Sequence, residues 1–245
     1  MIRADLKGKC ALVTGGASGI GLATVTMLAV MGARVAINHL ENDPAGPAKV
    51  AELTVRGLDV LSAPGNVSVP GNAEAMVETA IVQMGGLDFL INNAGTSGTA
   101  DKIPPSDLDK MTEEFWQLLL NTNLIGAFRC ARAAAGALND RCGAIVNIAS
   151  IAGIGEQGSS IAYAASKSGL VSLTGSLARG LAPGVRVNAV APGFITSDMT
   201  MNIAEKLKLY LTSRIPMGKL GTGEDVSNCV AFLSSEQASY VTGAT

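Results

Sequence analysis

Six short apolar runs punctuate this chain: CALVT, RVAIN, DVLSA, LDFLIN, GAIVNIAS and VRVNAV. Longer segments rich in Ala, Leu and Met, of helical length, separate them. A strand that is apolar on both faces has to be covered on both, and helices recurring between such strands supply the covers. The alternation therefore predicts an α/β fold, a parallel sheet flanked by helices on both faces. At 245 residues the chain can bury a full core in one large domain. No internal repeat, low-complexity tract or linker interrupts it, so a single domain over residues 1–245 is expected.

Composition narrows the function classes. Hydrophobic residues make up 48% and charged residues 16%, which excludes disordered and fibrous classes. The net charge is −2 with no basic block, which argues against nucleic acid or a membrane surface as partner. The start, MIRADLKGKC, lacks the apolar core of a secretion signal, and no apolar run is long enough to span a bilayer. Cys10, Cys130, Cys142 and Cys229 form no CxxC pair and no ligand cluster with His39, the only histidine. Free thiols in a reducing cytoplasm and no metal site are expected.

After the first apolar run comes VTGGASGIGLA, residues 13–23, in which Gly15, Gly19 and Gly21 give G-x-x-x-G-x-G. Glycines at a strand–helix junction let the backbone approach a pyrophosphate, which then sits on the helix amino end. A tight structural turn is the plain alternative.

Farther along, Tyr163 and Lys167 stand four apart in an Ala-rich segment, so on a helix they share one face a turn apart. Ser159 and Ser160 are candidate N-caps for that helix. Ser150 closes AIVNIAS, which places its hydroxyl at the C-terminal end of a buried strand, the edge where open α/β sheets bind ligands. A phenol titrates near 10 unaided, and a neighbouring ammonium favours its ionised form. The three groups together suggest proton transfer to or from a carbonyl oxygen polarised by Ser150. Taken alone, the spacing is common, and a Tyr packing its ring beside a solvated Lys is the favoured reading of it.

TGGASGIG, then Asn92-Asn93-Ala94-Gly95, Asn123, Ser150 and Tyr163-x-x-x-Lys167, in this order, resemble the short-chain dehydrogenase/reductase family from about Lys7 to Gly243. Pro192-Gly193-Phe194-Ile195 and IPMGKLGTGEDVSNCVAFLSSEQASYVTG are most similar to its 3-oxoacyl-carrier-protein reductases. The resemblance implies a Rossmann-like doubly wound sheet, an NAD(P)-dependent oxidoreductase acting on a carbonyl or secondary alcohol, and a homodimer or homotetramer. It implies a catalytic tetrad: Tyr163 as acid or base, Lys167 lowering its pKa and holding the nicotinamide ribose, Ser150 on the substrate oxygen, and Asn123 anchoring a relay water. Cofactor contacts would come from Gly15, Ser18, Gly19, Ile20, Gly21, Asn38, His39, Asn66, Val67, Asn93, Ala94, Gly95, Pro192, Gly193, Ile195 and Ser197. A cofactor-binding regulator without chemistry is the competing class, and the complete tetrad argues against it.

The departures from the family pattern carry expectations of their own. Asn38-His39-Leu40 stand where NAD-dependent relatives hold an acid against the ribose, so nothing there would repel a 2′-phosphate. Ser18 replaces the basic residue often found in the glycine loop. The balance favours NADP(H) over NAD(H), with a solvated loop histidine as the plain reading of His39. Asn66 stands in for an adenine-contacting acid, its amide oxygen able to accept from the adenine amine. Relatives continue past Val241–Thr245 through one more strand, so a missing or truncated edge strand is expected. Arg141 occupies a position where the carrier-protein reductases place a docking arginine, with a solvated loop charge as the favoured plain reading. The insertion Thr96–Thr112 and a segment from Met199 to Ile215, read as an apolar lid, would border the substrate. A 3-oxoacyl-reductase-like activity on a small carbonyl or alcohol substrate is expected, a dehydrogenase of small secondary alcohols or ring ketones being the alternative. A free β-keto ester or small ketone is expected to serve at least as well as a carrier-bound acyl chain.

Overall fold

The computed structural model describes residues 5–196 and 205–245. Its six strands fall on the six apolar runs: β1 (Cys10–Val13), β2 (Arg34–His39), β3 (Val60–Pro64), β4 (Phe89–Asn92), β5 (Ala144–Ile148) and β6 (Arg186–Val190). All pair in parallel in the order β3-β2-β1-β4-β5-β6. Between them run α1 (Gly19–Val30), α2 (Ala45–Val55), α3 (Asn72–Met84), α4 (Glu113–Leu120), α5 (Gly126–Asp140) and α6 (Ile161–Leu181). Helices α7 (Glu205–Arg214) and α8 (Gly223–Ser234) follow β6.

Alternation along each strand divides the core into two layers. Ala11, Val13, Val35, Ile37, Val146 and Ile148 pack with Val25, Leu28 and Leu53 of α1 and α2 and with Val226 and Val230 of α8. Cys10, Leu12, Ala36, Leu90 and Ile145 face the other way, onto Met76, Val77, Ala134, Leu138 and Ala178 of α3, α5 and α6. A fully buried Leu or Val contributes roughly 1.5–3 kcal/mol relative to leaving it in water, and here such residues lie on both faces of one sheet. The outer side of β6 is engaged too: Gly243 N–H donates to Val187 O (2.7 Å), and Ala189 N–H donates to Ala244 O (2.9 Å).

In this order the connections leave β1 and β4 in opposite directions, which opens a crevice at their C-terminal ends. A buried polar ladder fixes the elements around it. Asn92 Nδ2 donates to Asn147 Oδ1 (2.9 Å), and Asn147 Nδ2 donates to Thr174 Oγ1 of α6 (2.9 Å). These side chains tie the longest helix to β4 and β5 at a set height.

Candidate active site

The glycine junction sits at the crevice. Ser18 is the N-cap residue of α1, its side chain makes no capping bond, and the first turn carries no acid. That end of α1 keeps free N–H groups and a positive dipole end with nothing nearby to repel an anion. Gly21 is the close-approach position: a Cβ there would overlap Gly15 O and the Asn93 amide. Gly19, at φ 52°, has open space where a Cβ would be. The donor set and the space therefore fit the pyrophosphate of a dinucleotide. Asn93 donates from Nδ2 to Thr14 O (2.9 Å) and Gly15 O (3.0 Å), so its amide joins the ends of β4 and β1. Thr14 Oγ1 accepts from both Asn93 N and Ala94 N at 3.0 Å.

The polar groups expected at the adenosine end are turned inward. Asn38 is buried; its Oδ1 accepts from Gly15 N (3.0 Å), and Nδ2 donates to Ala63 O (3.0 Å) and Gly65 O (2.9 Å). His39 is buried as well, so the solvated loop histidine is corrected: its ring lies on Gly46, with Nδ1 2.8 Å from Leu40 O and Nε2 2.7 Å from Ser62 Oγ. The carbonyl fixes the tautomer of a neutral ring, Nδ1–H donating to it and Nε2 accepting from the serine hydroxyl. Asn66 Oδ1 already accepts from Ser68 N (2.9 Å) and Ser68 Oγ (2.7 Å), which fills both of its lone pairs. The hydrogen bonds of these side chains go to the surrounding loops, and Val67 beside them is buried.

The proton-transfer groups converge at the C-terminal ends of β4 and β5. Ser160, not Ser159, caps α6 by accepting from Tyr163 N (3.0 Å), so α6 begins just before the phenol. Ser150 follows β5 as the cap of a 3₁₀ turn (Ile151–Ile154), accepting from Ala152 N (3.2 Å). Gly153 lets that turn close on α6, since a Cβ there would lie 2.8 Å from the Lys167 carbonyl group. The Ser150 hydroxyl thereby hydrogen-bonds the phenol of Tyr163.

Lys167 is buried and donates from Nζ to Ile148 O (2.7 Å), with its ammonium 6.0 Å from the Tyr163 ring centroid. Burial brings its pKa down from 10.5 to about 8. The Tyr163 phenol moves the other way: burial raises it, and the Ser150 hydrogen bond opposes the rise. The expectation of a phenol lowered by its lysine is therefore corrected. Burial is the larger effect at the phenol, and the lysine's ammonium is directed to Ile148 O.

Asn123 lies in a π-helical turn (Asn121–Ile125) between α4 and α5. Such turns inside helices are frequent at functional sites. Its Oδ1 accepts from Thr96 N (2.8 Å), while Nδ2 donates to Thr96 O (3.0 Å) and Ser166 Oγ (3.0 Å). Both donors of the Asn123 amide and one lone pair of Oδ1 are thus engaged by the insertion and α6, and a Cβ on Gly95 would stand 3.2 Å from its Oδ1 and 3.4 Å from Lys167 Nζ. The glycine keeps the space beside the lysine open.

Pro192 O accepts from Ile151 N (3.1 Å), and Ile195 pairs with Gly221, which sets the loop after β6 beside the 3₁₀ turn; Gly193 is exposed there. Ser197, Met199, Met201 and Ile203 lie outside the described residues. Ile103 N donates to Ser159 O (2.8 Å) and Lys102 Nζ to Gln157 Oε1 (2.8 Å), so the insertion lies across the loop that precedes α6. Arg141 is at the opposite edge, before β5, where it donates to Gly85 O (2.6 Å) and pairs with Asp88 (3.4 Å). It caps the C-terminal end of α3 rather than bordering this chain's site. A cavity of about 370 Å³ also lies at that far edge, lined by Lys9, Asp88, Arg141 and Arg186, away from the tetrad.

Thr14, Asn147, Ser166 and Thr174 are positioning residues that sequence reading did not single out. Each is a small polar residue in an apolar stretch, and that mismatch was their only signal.

Comparison with known proteins agrees with this geometry. Residues 15–245 match the family model described as enoyl-(acyl carrier protein) reductase. The 3-oxoacyl-acyl-carrier-protein reductase FabG of Staphylococcus aureus strain N315 is 41% identical over 240 residues, 97% of this chain and 95% of that one. FabG of Escherichia coli K12 is 37% identical over 243 residues, covering 98% and 96%. Among solved structures, a putative short-chain dehydrogenase/reductase from Burkholderia xenovorans superposes with TM-score 0.88 at 31% identity, covering 96% and 94%. A blue fluorescent protein from a metagenomic library, in complex with NADPH, superposes with TM-score 0.87 at 35% identity, covering 98% and 96%.

Proposed function

The chain belongs to the short-chain dehydrogenase/reductase family, and on that premise we propose that it reduces a free β-keto ester or small ketone to the secondary alcohol with NADPH. As a member it is an NAD(P)-dependent oxidoreductase acting between carbonyl and CH–OH. The observation that carries the finer reading is the placement of Ser150, Tyr163, Lys167 and Asn123 around one point of the crevice.

The nicotinamide ring, when bound, supplies or accepts the hydride. Ser150 donates to the substrate oxygen and holds the carbonyl against the phenol. Tyr163 gives that oxygen its proton in reduction and takes it back in oxidation. Lys167 is ammonium below about pH 8, so near neutrality it carries a proton one helical turn from the phenol and restores it after turnover. Asn123 holds Thr96 and Ser166 and keeps the insertion and α6 in register. The glycine junction and the amino end of α1 would hold the pyrophosphate.

Two features support NADPH. No acid stands at Asn38 or His39, and both side chains are committed within the protein. The similar structure with NADPH bound is consistent with this. Dissociation constants for NADPH and NADH, by fluorescence titration, test it; a tenfold preference for NADH, about 1.4 kcal/mol, refutes it.

Charge supports the free substrate. Residues 101–114, beside the mouth, hold Asp101, Asp107, Asp109, Glu113 and Glu114 against Lys102 and Lys110. An acidic carrier protein meets a like-signed surface there, whereas a neutral ketone is indifferent to it. The deciding comparison is kcat/KM for a free β-keto ester and for the carrier-bound acyl chain at two salt concentrations, in wild type and Arg141→Glu. Equal or better use of the free ester, unchanged in the variant, is expected. A carrier advantage that collapses with salt and with the substitution overturns it.

A further inference from the structure

Among the described residues, Arg129 is the buried cation that Ser150, Tyr163, Lys167 and Asn123 do not engage. It projects from α5 and is 9% exposed, yet among the described residues no carboxylate pairs with it. One turn on, Arg132 behaves ordinarily: it is exposed, pairs with Glu74 and stands 5.9 Å over the Phe128 ring. A guanidinium buried without a counter-charge is costly unless its donors meet well-placed acceptors. The acceptors of Arg129 come from two places. Nη1 donates to Val67 O (3.3 Å) and Ser68 O (3.0 Å), in the loop after β3. Nη2 donates to Asn121 Oδ1 (3.2 Å), the first residue of the π-helical turn that carries Asn123. The backbones are also in contact, since a Cβ on Gly126 would lie 3.0 Å from both Val67 O and Asn121 O.

The planar fork of one arginine thus spans two segments that belong to different halves of the site. The loop Asn66–Val69 lies at the C-terminal end of β3, under the adenosine end of a dinucleotide laid across the crevice. Within this loop Asn66 bonds Ser68, so the carbonyls of Val67 and Ser68 are presented together. The π turn holds Asn123, whose amide clamps Thr96 and Ser166 beside Tyr163. A lysine offers a point charge and cannot hold three acceptors in one plane.

We infer that Arg129 is a positioning residue that shapes the adenosine-side loop and holds it in register with the turn bearing Asn123. The inference rests on the dinucleotide reading of the site. Its consequence is that one substitution, outside the tetrad and the glycine junction, changes both adenosine affinity and turnover.

The test uses Arg129→Lys, Arg129→Met and Asn121→Ala in the full chain, with 2′,5′-ADP and 5′-AMP as probes. Calorimetry gives their affinities, kinetics with a small ketone at saturating NADPH gives kcat, and thermal melting reports stability. Arg129→Lys is expected to weaken the tighter-binding probe about tenfold and to lower kcat about fivefold. Asn121→Ala cuts only the second arm, and it should lower kcat several-fold while probe affinity stays within twofold of wild type. If Arg129→Met does not fold, the other two variants still decide. Unchanged probe affinity in Arg129→Lys, or unchanged kcat in Asn121→Ala, overturns the inference even where melting temperature falls. Failure of both probes to bind wild type would instead defeat the dinucleotide reading itself.

Discussion

Lys167 makes a prediction about stability that needs no substrate. Its ammonium is buried and its pKa falls from 10.5 to about 8 because folding removes it from water. The folded protein therefore binds this proton more weakly than the unfolded chain. Between about pH 8 and 10.5 the unfolded chain keeps the proton and the folded protein has lost it, so stability rises with pH across that window. Integrating both titration curves from pH 7 to 9.5 gives about 1.4 pH units of differential protonation, or roughly 2 kcal/mol. Tyr163 adds little in that range, because its raised pKa places its own titration above 10. The clean measurement is denaturant unfolding of wild type and Lys167→Met at matched protein concentration, at several pH values from 7 to 9.5. Subtraction cancels every other titrating group. The wild-type value should gain roughly 2 kcal/mol on the variant over that range. A difference that stays flat would show that Lys167 keeps an ordinary pKa, and that burial does not tune it.

Other perturbations test other parts of the site. Tyr163→Phe keeps the ring and removes the transferable proton, so kcat should fall at least about a hundredfold while NADPH affinity, by fluorescence titration, changes little. Gly21→Ala drives a methyl into Gly15 O and the Asn93 amide, so NADPH affinity should drop at least about tenfold, read by the same titration; unaltered affinity would remove the glycine junction from the cofactor site. The reductive rate with a small ketone should be level below about pH 8 and decline above it as Lys167 loses its proton, and stopped assays across pH 6–10 report that limb.

The strands were legible because a buried parallel sheet leaves a plain signature: each of the six apolar runs became one strand. Asn123, Ser150, Tyr163 and Lys167 could be singled out by their order and spacing, and the structure brings them to one edge of the sheet. What sequence could not supply was the direction in which a polar side chain turns. Asn38, His39 and Asn66 stand where the pattern puts cofactor ligands, yet their hydrogen bonds go to Gly15, Leu40, Ser62 and Ser68. Three loop ends meeting there leave orphaned backbone groups, and a nearby amide or imidazole relieves them before any ligand arrives. Arg141, read as a solvated loop charge, instead bonds Gly85 O and Asp88. A residue at the end of α5 is close in sequence to β5, but it reaches the N-terminal edge of the sheet, a strand's length from Ser150.

On the proposed function, the pKa directions of Tyr163 and Lys167 bear on how the two would divide the work. A tyrosine whose proton is held more tightly than usual stays protonated at neutral pH and so has a proton to give in reduction, although the raised pKa makes it a weaker acid. Once it has given that proton, the phenolate takes one from a neighbour that titrates nearer to neutrality, and Lys167 at about 8 is such a neighbour. An exposed lysine, at about 10.4, would be a weaker proton donor to the phenolate. Burial thus acts on both residues at once, making the phenol hold its proton and the ammonium lend one. The elements that impose it are structural: the polar ladder through Asn92, Asn147 and Thr174 fixes the height of α6, and Gly153 lets the 3₁₀ turn close over Lys167. A bulkier residue at 153 would lift that turn and admit water, moving both pKa values back toward their ordinary positions without touching either catalytic side chain.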